Sequence, residues 1–95
     1  GIFATLGAKA NIYDLVIQDA TVNFNVKLDN GEFLGGFFAY EAKEGAKITN
    51  VKVSGTLNYN YGANKTSTAY PWIAKDSSES KDCDYSGVVL VDVTK

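Results

Sequence analysis

The sequence contains no His, no Met and no Arg, and only one Cys, one Pro and one Trp. Without imidazole there is no His general base, no His-dependent triad and no His metal site. Cys83 is alone, so neither a disulfide framework nor a CxxC metal pair can form within the chain. All nine basic residues are Lys, they are scattered, and the net charge is −2. That excludes the electrostatic footprint of a nucleic-acid binder and a polybasic membrane patch. The longest apolar run, Val88-Val89-Leu90-Val91, is far shorter than the roughly 20 residues of a spanning helix. A chain that opens on Gly1 and holds no Met reads as a processed form or an excerpt of a longer polypeptide.

What is present is β and turn material. Residues 1–95 suffice for one small all-β domain or fragment, and 45% hydrophobic with 21% charged residues is a globular balance rather than a disordered one. Residues 11–17 and 20–28 alternate as half-buried strands do, with Val22, Phe24, Val26 and Leu28 on one face. No segment keeps helical spacing for three turns. Asn30-Gly31 reads as a tight turn, which locally suggests a hairpin from 21–28 into 33–40 and, by extension, an antiparallel β-sandwich.

Internal repetition gives a second architecture. Gly1-Ile2-Phe3-Ala4 matches Gly36-Phe37-Phe38-Ala39 at an offset of 35, and Ile12-Tyr13-Asp14-Leu15-Val16-Ile17 matches Ile48-Thr49-Asn50-Val51-Lys52-Val53 at 36. Ala20-Thr21-Val22 then matches Gly55-Thr56-Leu57 at 35. A degenerate third copy begins at Trp72-Ile73-Ala74 and places Cys83 in the position of Ile12 and Ile48. The repeats run about 1–34, 35–69 and 70–95. A period of this length, built of short strands, predicts a parallel β-helix in which Phe3 stacks on Phe38, Ile12 on Ile48, Leu15 on Val51 and Ile17 on Val53.

These residues resemble the GLUG-type repeats of large bacterial surface proteins, whose pattern is Gly-Leu-Phe/Val-Gly, a loop, then Ile-x-Asn-Leu/Val-x-Val. The resemblance covers 1–22 and 35–57. Asn50 keeps the family Asn, Asp14 stands in its place in the first copy, and 58–70 lies outside the pattern. The resemblance implies a right-handed parallel β-helix, as in adhesins and in the non-catalytic regions of secreted IgA1-type peptidases.

Few constellations carry chemistry. Cys83, between Asp82 and Asp84, sits where negative charge disfavours a thiolate nucleophile. Ser78-Glu79-Ser80-Lys81 has a nucleophile–base spacing but lies in polar loop composition rather than on a helix. Asp76, Ser78, Ser80, Asp82 and Asp84 alternate oxygen ligands without the Gly and terminal Glu of a calcium loop, and read as a polar turn. Asn64-Lys65-Thr66 is a glycosylation sequon by composition alone. Tyr59, Tyr61, Tyr70 and Trp72 flank a Gly/Asn/Thr-rich excursion and are the candidate ligand-binding residues, as a stacking platform for a glycan or peptide; the alternative is packing, with Tyr59 and Tyr61 continuing a strand and Trp72 capping the core.

The expectation is therefore a non-enzymatic structural or adhesive module of a secreted or surface-anchored bacterial protein, with no cofactor and no metal. The alternative is a glycan- or peptide-binding module using the Tyr/Trp cluster. Expected partners are other parts of a longer polypeptide or another chain, joined through exposed strand edges such as 88–93, and a host glycan or protein. Nucleic acid and membrane insertion are not expected.

Overall fold

The computed structural model describes residues 1–25, 34–61 and 67–94. Among these the chain is all β, with nine strands and no helix. They are β1 (Phe3–Leu6), β2 (Asn11–Asn25), β3 (Leu34–Gly36), β4 (Ala39–Ala42), β5 (Lys47–Asn60), β6 (Thr68–Tyr70), β7 (Ile73–Asp76), β8 (Glu79–Lys81) and β9 (Asp84–Asp92). Every described strand pair is parallel. One sheet has the order β1-β4-β7, a second holds β2-β5 with β8 and β9 both on β5, and a third is β3-β6.

The pattern of apolar residues explains the longest pairing. On β5, Ile48, Val51, Val53 and Leu57 are buried while Lys47, Asn50 and Lys52 are exposed. Strand β2 lies in register beside it, with Ile12 on Ile48, Leu15 on Val51, Ile17 on Val53 and Val22 on Leu57. Like residues thus stack on like, and each inward row adds to one core with Leu6, Phe37, Phe38, Trp72 and Ile73. Outside the core, amides stack as well: Asn50 Nδ2 donates to Asp14 Oδ1 at 2.8 Å, and Asn58 Nδ2 to Asn23 Oδ1 at 3.2 Å. Asp14, Asn50 and Asp82 each have a positive φ, between 52° and 54°, in the left-handed region that Asn and Asp tolerate best.

The sequence reading of 11–17 and 20–28 as separate strands is corrected over the described part. β2 runs unbroken through an irregularity between Ile17 and Ala20, where two residues oppose Ser54 alone. Asp19 takes a φ of 54° there, and its N–H donates to Ser54 Oγ at 3.3 Å. The proposed turn at Asn30-Gly31 lies outside the described residues. The strands it would join do not pair, because β2 lies on β5, β3 on β6, and β4 between β1 and β7. The antiparallel sandwich is therefore not the arrangement of the described strands. A turn signal reports two residues, whereas stacked apolar rows along β2 and β5 act over their whole length.

Two details of the expected register are also corrected. Phe3 pairs with Ala39 rather than Phe38, although the two rings meet edge to face with centroids 5.2 Å apart. Phe37, Phe38 and Ala39 are all buried, which an alternating strand does not allow; the bend at Phe37-Phe38 turns a ring inward one residue before β4 begins. Cys83 does not share the row of Ile12 and Ile48, since Ser80 pairs with Ile48. With Thr49 on Lys81 and Lys52 on Asp84, Cys83 lies opposite Val51. Two of the three residues of displacement come from the turn, since residues 77–78 join β7 to β8 where 43–46 join β4 to β5, and the third from β7, which already lies 34 rather than 35 residues from β4.

Candidate functional site

The four aromatic residues singled out from sequence fall into two environments. Trp72 is buried at 6% exposure, stacked on Phe38 with centroids 4.4 Å apart and on Tyr85 at 5.1 Å. With Phe3 against Phe38 this makes a continuous column of four rings, buried at Phe38 and Trp72 and exposed at Tyr85. Trp72 therefore presents no open face for a ligand and packs on the core, as the packing alternative to an exposed Tyr/Trp platform has it. Its partner Tyr85 carried no sequence signal, because the spacing that relates them belongs to the shortened third pass.

Tyr59, Tyr61 and Tyr70 are half-buried and belong together. Tyr59 ends β5 against the core and lies in register with Phe24 of β2. Tyr61, just beyond β5, has its ring 4.9 Å from Tyr59 and 5.9 Å from Phe24. Its backbone N–H donates to Thr94 Oγ1 at 3.0 Å, which fixes the end of β5 to the segment after β9. The Tyr61 phenol is pushed up to about 12, chiefly by burial, then by the nearby Tyr59, Asp92 and Tyr70. A neutral phenol of this kind donates a hydrogen bond and does not act as a base at ordinary pH. Phe24 and Asp92 were not among the expected residues; the 35-residue offset was the signal that could have brought Phe24 to Tyr59. The adjoining excursion, 62–66, with its sequon, lies outside the described residues.

The remaining candidates are engaged locally. Asp76 Oδ1 accepts from the Ser78 N–H at 2.9 Å, closing the turn between β7 and β8, and the Ser78 hydroxyl bonds the same oxygen. Ser78 and Lys81 lie on that turn and on β8, without the helix that would face one toward the other. Asp84 and Asp92 repeat the Asp76 device: each accepts a backbone N–H from two residues on, Ser86 and Thr94, both at 2.9 Å. These bonds hold both carboxyls below the ordinary carboxylate range. The Cys83 thiol donates weakly toward the Ile48 and Lys81 carbonyls, at 3.5 and 3.4 Å, as a small half-buried residue facing the core.

A different concavity lies where β2, β5 and β9 run side by side. It is a shallow cleft of about 300 Å³, lined by Asp19, Thr21, Ser54, Thr56, Gly87 and Val89 with the backbone of Ala20 and Gly55. No sequence motif marked it, because its residues converge only through strand register.

Comparison of the chain with protein-family models, with curated proteins and with solved structures found no match.

Proposed function

We propose that the chain is a non-enzymatic structural or adhesive module of a secreted or surface-anchored bacterial protein, built as a short right-handed parallel β-helix. The observation that carries this reading is the parallel register itself. Each of β1 to β5 lies beside a strand one pass later, from 36 residues on for Asn11 and Lys47 to 32 for Lys47 and Glu79. Inward rows, the Asn/Asp contacts and the aromatic column all follow that stacking. The right hand is supported by the rule that about 98% of crossovers between parallel strands have it. The thinnest dimension, 14 Å, suits three strand layers at about 4.8 Å spacing. The resemblance to GLUG-type repeats supports the surface role.

Within this reading the partners are further segments of a longer polypeptide, or another chain, added at the strand edges. Strands β2 and β9 each pair only with β5 among the described residues, so each leaves an edge open. On β9, Val89 and Leu90 are exposed, as is Val93 just beyond it. A second reading, a glycan- or peptide-binding module, is favoured by one observation: the Tyr59, Tyr61 and Tyr70 grouping, half-exposed and carrying phenol donors.

The test is retention of beads coated with the folded chain on immobilised glycans and matrix proteins. Retention that survives Tyr61→Ala and Tyr70→Ala supports adhesion through the rest of the module, and retention lost in both supports the second reading. Turnover in a panel of hydrolase and transferase substrates contradicts both.

A further inference from the structure

The cleft between β2, β5 and β9 is a built feature of the sheet rather than a gap between loops. Two irregularities stack to make it: Ile17 to Ala20 against Val53 to Gly55, and Lys52 to Ser54 against Asp84 to Gly87. Beside them, Thr21, Thr56 and Val89 form one outward row across the three strands, in register. The floor stays low because Gly55 and Gly87 bring no side chain.

Its chemistry is selective. Among the described residues, the Asp19 carboxylate and the Thr21 and Thr56 hydroxyls have no hydrogen-bond partner within the chain. Ser54 Oγ accepts from the Asp19 N–H and keeps its own O–H to donate. Asp19 is the one charged residue in the lining and no Lys joins it, which disfavours phosphate, sulfate and carboxylate ligands. A single carboxylate is also too few for a divalent cation, and no group of three His, Cys, Asp or Glu forms a metal site among the described residues. The polar lining and shallow form do not suit an apolar ligand. What matches is a ligand with several neutral hydroxyls on a small ring. A carboxylate accepts from adjacent hydroxyls, Thr and Ser exchange hydrogen bonds with others, and the Thr methyls with exposed Val89 meet the C–H face. Three strands at about 4.8 Å spacing span about 10 Å, room for one sugar ring together with the hydroxyls around it.

We propose that this cleft is a binding site for a neutral sugar residue, held by the Asp19 carboxylate and the Thr21, Ser54 and Thr56 hydroxyls. The site rests on the observed register and not on the adhesive reading, and it is distinct from the tyrosine group.

The experiment titrates the folded chain with maltotriose, cellotriose and triacetylchitotriose, following backbone amide shifts by NMR, with trigalacturonate as the anionic control. At least one neutral trisaccharide should saturate the amides of Asp19, Thr21, Thr56 and Val89, while trigalacturonate should not. Asp19→Asn keeps the size and the left-handed backbone, and Thr56→Val keeps the shape. Asp19→Asn should weaken binding roughly tenfold or more, the loss for one hydrogen bond to a charged group, and Thr56→Val severalfold. The proposal is overturned if no neutral trisaccharide shifts these amides at its solubility limit. It is equally overturned if the shifts centre on Tyr59, Tyr61 and Tyr70, or if both folded variants bind as the parent does.

Discussion

Gly55 has a φ of 143° and lies in register with Ala20, so close that a Cβ there would meet the Ala20 carbonyl oxygen and amide nitrogen. Neither backbone atom can yield without parting β2 from β5. Gly55→Ala should therefore destabilise by more than about 1 kcal/mol, measured by urea unfolding with an unchanged slope. Phe38 is fully buried between Phe3 and Trp72, and Phe38→Ala should lose about 3–5 kcal/mol. Cys83→Ser should do far less, because the site is only half-buried and the hydroxyl can still bond the Ile48 carbonyl. At this scale the sequence was most legible where like residues repeat. Ile12 and Ile48, or Val22 and Leu57, could be paired from spacing alone. The role of Trp72 was left between two readings, because Tyr70-Pro71-Trp72-Ile73 suits a ring stacked inward as well as one stacked outward. The repeat paired Thr21 with Thr56, but nothing marked them or Asp19 as a site, since exposed polar residues acquire meaning only from what the sheet sets beside them.

Strands β2 and β5 were visible as alternating apolar runs, and the irregularity at Asp19 was the point where the offset changes from 36 to 35. The weak end was the third pass. Its offset had already fallen to 34 on β7, and the turn at 77–78 is two residues shorter than its counterpart, so an alignment with a constant period misplaced Cys83 by three residues. Strand β9 exposes apolar side chains beside an open edge, as β2 does with Tyr13 and Val16. On the edge-pairing account, the 95-residue chain should self-associate with rising concentration, and Leu90→Lys should weaken that association by placing a charge on the edge. Sedimentation velocity reads both outcomes. A parent chain that stays monomeric at high concentration, with Leu90→Lys unchanged, would remove β9 as a pairing edge.

For the whole molecule, stability should be bounded at both ends of the pH scale. The Asp84 and Asp92 carboxyls are lowered by their bonds to Ser86 and Thr94. Their contribution is present above the ordinary carboxylate pKa and is lost as pH falls through the lowered values. Tyr61 is raised from 10.0 to about 12, so its contribution is complete below pH 10.0 and disappears as pH rises toward 12. Thermal midpoints across pH should form a plateau between these limits, and Tyr61→Phe should flatten the alkaline side.

The parallel stacking of successive passes underlies all of these expectations, and inter-strand NMR contacts on the chain test it most directly. Backbone contacts across β2 and β5 should set Ile12 beside Ile48 and Val22 beside Leu57 with both strands running the same way, and ring contacts should link Phe3, Phe38 and Trp72. Antiparallel contacts between residues 21–28 and 33–40, as a hairpin through Asn30-Gly31 would give, would contradict the account.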